Sequence, residues 1–260
     1  MERINEARVA VIGGVNMDIG GSPFAKLVMR DSNPGIITAR PGGVGRNIAH
    51  DLRLLGVNVS LVTAVGGDVY GQGILDSCRE LGIDMSLARI LPERRSSTYL
   101  YVTDETGDMQ IGIADMEITE CITPEYLASR MDEINAFDAV VLDANLSAES
   151  VEYAARHCTA PIIADPVSTA KAMRLVPVLD KLWAIKPNIY EAEKLTGEHD
   201  PEKAAAALLD KGVKRVFISL GEEGMLAAER GSTVHMPREL VTVVNTTGAG
   251  DAATSAIVWA

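Results

Sequence analysis

The sequence lacks the signals of several large protein classes. Its three cysteines, Cys78, Cys121 and Cys158, are widely spaced and form no CxxC pair. That argues against a disulfide framework or a cysteine zinc site and fits a reducing compartment. No apolar stretch approaches the roughly 20 residues that a membrane helix needs. The opening MERINEARVAVIGG mixes charges ahead of a short apolar run and lacks the apolar core of a signal peptide. A cytoplasmic location is therefore expected. Positive charge is not in surplus either, and the net charge of −12 argues against nucleic acid or an anionic membrane as a partner. It leaves room for a phosphate held by local dipoles and a metal. Two nucleotide-binding strings are also missing. Gly13-Gly14 lacks the spacing of G-x-G-x-x-G, and no GxxxxGK[ST] occurs.

What is present suits one large α/β domain, since 260 residues with 47% apolar and 23% charged side chains can build a full core. Short, apolar, β-branched runs predict buried strands at Arg8–Ile12, Ser60–Val65, Ala139–Leu142, Pro161–Ala164, Leu182–Ile185 and Arg215–Leu220. Helical patterns lie between them at Asn47–Leu55, Tyr70–Leu81, Ser147–His157, Ile189–Thr196 and Pro201–Lys211. Asp200 suits the cap of the last, Pro201 its first position and Gly212 its stop. This alternation predicts a parallel sheet covered by helices. Two stretches break it: the turn-rich region from Gly20 to Arg40 and the hairpin-like Ser97–Ile113 around Asp104–Asp108. Both are expected to be strands outside the main sheet, in a small β-layer that could act as a lid. No internal repeat, low-complexity tract or interdomain linker is visible.

The sharpest chemical signal is Asn245–Asp251, NTTGAGD, running into the helix-like AATSAIVWA. A glycine-rich turn at a helix start aims backbone N–H groups and the helix dipole at one point, where a phosphate can sit. An aspartate there is poised to take a proton from an attacking hydroxyl. In isolation, a capped turn explains such a string equally well. Pro41–Asn47, PGGVGRN, opens another helix with paired glycines and an amide; Gly13–Asp18, GGVNMD, follows the first strand, where α/β sheets bind ligands. Lys186–Gly197, KPNIYEAEKLTG, puts Asn188 and Glu191 on one helical face, an arrangement that also reads as a capping box. Ser219–Gly224, SLGEEG, and Asp165-Pro166 stand at further strand ends. The four histidines have no partner at telling spacing, and Met17, Met29, Met109 and Met116 suit lid or core gaps better than a metal.

Taken in order, these motifs resemble the ribokinase (PfkB) family of carbohydrate kinases from about residue 8 to 260. The resemblance implies a three-layer α/β/α sandwich with a small β-sheet lid, a single kinase domain over 1–260 with lid segments near 15–40 and 97–113. It makes Asp251 the catalytic base and Gly248, Ala249 and Gly250 the anion hole. It gives Asn16, Asp18, Gly42, Gly43 and Asn47 to the sugar, and Ser219, Gly221, Gly224, Thr246, Thr247 and Asn188 to the nucleotide. Glu191 and Asn188 would organise magnesium, mainly through water. ATP and Mg2+ are the implied cofactors, with a monovalent cation as a further candidate. A small sugar or nucleoside is the implied substrate and a homodimer through the lid the implied assembly. Within the family, GGVNMDIGG, the SNPG turn at Ser32–Gly35 and LDANLS at Leu142–Ser147 look most like kinases acting on the 5′-hydroxyl of pseudouridine. Asp143, Asn145 and Thr98 then join the candidates for substrate contact, Thr98 from the lid hairpin with Ser97 and Tyr99. Ribose or another nucleoside is the alternative substrate. Family members usually continue with more helices, whereas here the sequence stops nine residues beyond Asp251. The expectation is that C-terminal helices are missing. A sugar- or nucleoside-binding protein with weak or no kinase activity therefore stays open.

Overall fold

The computed structural model describes residues 7–238 and 246–260. The chain opens with β1 (Arg8–Ile12), β2 (Asn16–Pro23), β3 (Gly35–Gly42) and α1 (Val44–Leu54). It continues with β4 (Asn58–Val62), β5 (Ala64–Gly66), α2 (Val69–Glu80), β6 (Arg89–Leu91), β7 (Thr98–Thr103) and β8 (Met109–Asp115). Next come α3 (Pro124–Ile134), β9 (Ala139–Asp143), α4 (Ala148–His157), β10 (Ile162–Asp165), α5 (Thr169–Ala172), β11 (Ala184–Ile185), α6 (Ile189–Thr196) and α7 (Pro201–Asp210). Finally β12 (Arg215–Ser219), β13 (Met225–Glu229), β14 (Ser232–Met236) and α8 (Ala249–Trp259) complete the described elements.

The main sheet has the order β14-β13-β12-β11-β10-β9-β1-β4. Strands β12 to β4 in that order run parallel, while β13 and β14 are antiparallel additions. Alternation along β1 explains the layers. Val9 and Val11 join one core with Ile48 and Leu52 of α1 and Ile74 of α2. Ala10 and Ile12 join the other with Leu127 of α3, Val151 of α4 and Leu195 of α6. Neither strand face meets water, so the strands read as continuous apolar runs. The result is the expected three-layer α/β/α sandwich.

The two irregular stretches form one sheet of order β3-β2-β7-β8, the small lid layer. Directly opposed residues share a face. Pairing of Ile19 with Ala39 and Leu100, of Leu100 with Ile113, and of Val102 with Ile111 therefore makes one face apolar. Asp18, Tyr99 and Tyr101 lie on the other.

Several expected elements need correction. The run Ser60–Val65 is not one strand: it ends at Val62 in the main sheet and resumes as β5, which pairs with β6 apart from it. Thr63 accepts Arg89 N–H through its carbonyl at this break. The strand expected at Leu182–Ile185 keeps only Ala184–Ile185, because the preceding Met173–Lys181 turns of 3₁₀ helix deliver the chain late. Asp200 does cap α7, accepting Lys203 N–H at 2.9 Å. Leu52, fully buried on α1, tests the packing. Leu52→Ala should cost about 2–5 kcal/mol in urea unfolding, with the denaturant slope unchanged.

Candidate active site

The C-terminal ends of β1, β9, β10, β11 and β12 deliver the candidate residues to one rim of the sheet. Opposite them α8 begins on Gly248, whose φ of 79° is left-handed. Among the described residues no side chain caps this helix start, so its first-turn amides and dipole present positive potential to the rim. Ala249 N–H donates to Thr246 O at 3.2 Å, which tightens the turn. Thr246 and Thr247 are exposed beside it, while Asn245, the first residue of the motif, lies outside the described residues.

Asp251 stands in the first turn of α8 and is half-buried. Asn47 Nδ2 donates to its Oδ2 at 2.9 Å, joining the PGGVGRN and GAGD motifs directly. Burial pushes the Asp251 carboxyl up to about 6; Asp165 and Asp143 push the same way, while the Asn47 bond and the Lys186 charge oppose. A carboxyl poised there is neutralised or ionised by modest changes around it, which suits proton transfer near neutral pH.

The loop after β1 lies against the start of α1. Gly43 has φ 97°, and a side chain there would put its Cβ 2.7 Å from the Gly14 carbonyl and from Val15 Cα. A Cβ on Gly42 would run into the Asp18 carboxylate. The paired glycines thus exist so that the loop can close on the helix. Asn16 Nδ2 donates to Asp18 Oδ1 at 2.5 Å. Burial raises the Asp18 carboxyl, against the lowering by Asn16 and Arg46.

Asp143 is fully buried, and its oxygens accept Gly14 N–H at 2.8 Å, Asn145 N–H at 2.9 Å and Asn145 Nδ2 at 3.1 Å. Its work is to hold the Gly13-Gly14 turn, and burial raises its carboxyl. Asn145 also accepts from Lys171 Nζ at 2.6 Å. Thr98 pairs with Met17 and so stands on the opposite lid face from Asp18, whereas Tyr99 shares the Asp18 face. Asn188 and Glu191 form a complete capping box: Glu191 N–H donates to Asn188 Oδ1 at 2.9 Å and Asn188 N–H to Glu191 Oε2 at 2.8 Å. Ser219 bridges to Asn188, and Gly221 and Gly224 take positive φ in the following turn. Among the described residues, no group of three or more His, Cys, Asp or Glu could hold a metal on its own.

Comparison with known proteins settles the lineage. The family model described as pfkB family carbohydrate kinase matches residues 6–260. The chain belongs to the PfkB family. It is 38% identical to a pseudouridine kinase of Escherichia coli (strain K12) over 94% of this chain and 80% of that protein. A guanosine-inosine kinase of Exiguobacterium acetylicum is 29% identical over 96% of this chain and 86% of its own length. A carbohydrate kinase structure from Agrobacterium tumefaciens superposes with a TM-score of 0.87 at 28% identity, covering 97% of this chain and 83% of that one. Arabidopsis thaliana ribokinase complexed with ribose and ATP shares the fold, with a TM-score of 0.82 at 21% identity over 97% and 85% of the two chains. PfkB kinases transfer a phosphoryl group to a hydroxyl acceptor.

Three groups at the rim carry no role in the sequence reading. Lys186 is the first residue of the KPN string and is buried against Asp165. Arg46 reaches Ser77 Oγ at 3.1 Å from inside the PGGVGRN motif. Lys171 holds Asn145. A charged side chain at the end of an apolar strand, as in AIK at 184–186, is the signal that could have found the first. The glycine argument is testable at position 43. Gly43→Ala should lose about 1–3 kcal/mol of stability by urea unfolding, since it combines a left-handed φ with a backbone clash.

Proposed function

We propose that the protein phosphorylates the 5′-hydroxyl of a nucleoside, pseudouridine before others, using ATP. The observation that carries this is the Asn47–Asp251 bond, which ties the sugar-side loop to a half-buried carboxylate at an uncapped helix N-terminus. Support for pseudouridine comes from the 38% identity with the Escherichia coli enzyme along nearly the whole chain.

Asn16, Asp18, Gly43 and Asn47 hold the ribose so that one hydroxyl points at the anion site, an effect of orientation. Asp251 accepts the 5′-hydroxyl proton as that oxygen bonds to the γ-phosphorus and the bond to the β-phosphate oxygen breaks, releasing ADP. The amides of Gly248 and Gly250 face the charge that develops on the transferred group, while Ala249 N–H, expected to join them, is tied to the Thr246 carbonyl and shapes the turn instead. Ser219, Gly221, Gly224, Thr246 and Thr247 border the nucleotide side. Magnesium, when bound, neutralises phosphate charge. Asn188 and Glu191 fit it through water, because their capping box already occupies one oxygen of each side chain.

Asp251→Asn should lower turnover roughly 10²–10⁴-fold with substrate binding retained. Only the ionised carboxylate accepts a proton, so kcat/KM should fall as pH drops through about 6. At pH 5 it should be roughly a tenth of its plateau. Coupled ADP release with pseudouridine, uridine, adenosine, inosine and ribose tests the acceptor. Equal or higher kcat/KM for another member of that panel would remove the claim for pseudouridine while leaving the kinase reading intact.

We also propose a homodimer through the lid. Its outer face exposes Ile37 (79%), Ile111 (53%) and Ile113 (59%) beside Leu100 and Val102, an apolar surface that a second copy would cover. Ile111→Asp should shift sedimentation from dimer to monomer; a wild-type chain that sediments as a monomer at tens of micromolar would contradict the assembly.

A further inference from the structure

Lys186 is one of the few charged side chains that the fold buries. It follows β11 directly, and its Nζ lies 3.2 Å from Asp165 Oδ2, with each side chain 5% exposed. Asp165 is itself immobilised. Its Oδ2 accepts Thr254 Oγ1 from α8 at 2.7 Å, and its Oδ1 accepts Val167 N–H at 2.9 Å. Val167 is a β-branched residue held at φ 67°, a costly conformation that surrounding contacts, its bond to Asp165 among them, keep in place. The ammonium ends against the start of α8: a Cβ on Gly250 would stand 3.1 Å from it. Gly250 therefore leaves the space that brings a positive charge under the GAGD turn, one residue from Asp251.

A buried ion pair of this kind adds little net stability, because desolvation offsets the attraction between its members. Its position gives it a different use. Two further carboxylates, Asp143 and Glu191, are buried along the same rim. The groups acting on Asp251 are Asp165 at the end of β10, Lys186 after β11, Asp143 at the end of β9 and the neutral Asn47 of α1. The other charged groups at the start of α1, Arg46, His50 and Asp51, act on one another and on Asp18 instead. Among the groups acting on Asp251, Lys186 is thus the cation, whereas Lys171, at the same rim, acts on Asp143 and Asn145 instead. We propose that Lys186 and Asp165 are a positioning pair for Asp251: the ammonium, pinned by a carboxylate locked to α8 and to the β10 turn, sets the pH range in which the base works.

The proposal rests on the reading of Asp251 as the base, yet its test does not need activity. The titration of Asp251 is followed by carboxyl ¹³C NMR in the free protein, with Asp251→Asn to assign the resonance. The two members of the pair must act with opposite sign, since a nearby cation favours the carboxylate and a nearby anion disfavours it. Lys186→Met should raise the Asp251 midpoint by about one pH unit, and Lys186→Arg should restore it. Asp165→Asn should lower it by a similar amount, and Asp165→Asn with Lys186→Met together should return close to wild type. If Lys186→Met does not fold, Asp165→Asn and the double variant decide the matter. A shift of both in one direction, or no shift in Asp165→Asn, overturns the proposal. The same shifts should appear in the acid limb of kcat/KM. Midpoints that move as expected in a protein that phosphorylates nothing would remove the kinase reading and leave the pair standing.

Discussion

The hydrogen bond from Asn47 to Asp251 joins side chains 204 positions apart in the chain, and the rest of the site is arranged around it. Its donor is fixed because α1 starts where the paired glycines close on the loop after β1. Its acceptor is fixed because α8 packs along α1, with Ser255 Oγ donating to the Ile48 carbonyl at 3.3 Å. The early PGGVGRN motif and the late GAGD turn, to which the proposed mechanism gives the sugar and the phosphate, are thereby set against each other. Such preorganisation is what phosphoryl transfer asks of a protein, since little covalent chemistry is left for it to do.

Electrostatics at the rim look paradoxical for a kinase of net charge −12 that must receive a polyanion. The contradiction is resolved locally. The uncapped start of α8 supplies directed amides, and Lys186 is sunk beneath it. The surrounding acids are not equivalent. Asp143 spends its oxygens on the Gly13-Gly14 turn, Glu191 spends one on its own helix, and Asp165 is divided between Thr254, Val167 and Lys186. Asp251 alone among these four is half-exposed, and among the described residues its carboxylate is held by one neutral donor, Asn47. That difference in partners, more than any difference in residue type, is why the proposed mechanism gives the role of base to Asp251 and not to the other three.

Much of this was legible in the sequence, for identifiable reasons. β1 and α6 have the expected bounds because each is delimited by strong local chemistry, an apolar run ending in Gly13-Gly14 and a capping box ending at Gly197. The lid strands were readable as departures from the main rhythm, but their joining into one sheet depends on pairing across some 80 residues, which no local pattern encodes. The break at Thr63 likewise depends on a tertiary hydrogen bond from Arg89. At the site, motif order brought the residues together, whereas side-chain direction stayed hidden. Asp143 and Thr98 had the right neighbourhood; one faces inward to the backbone of the turn, and the other stands on the far lid face from Asp18. Lys186 was visible as a letter in KPN, and only its burial against Asp165 gives it meaning.

In the proposed mechanism a nucleoside hydroxyl meets Asp251 at the start of α8. A crystal structure with pseudouridine and a non-hydrolysable ATP analogue tests it most directly. The 5′-oxygen is expected within about 3 Å of a carboxylate oxygen of Asp251, with the terminal phosphate against the amides of Gly248 and Gly250. A nucleoside bound at the same rim with its 5′-oxygen turned away from Asp251, and another group at hydrogen-bond distance from it, would contradict the account.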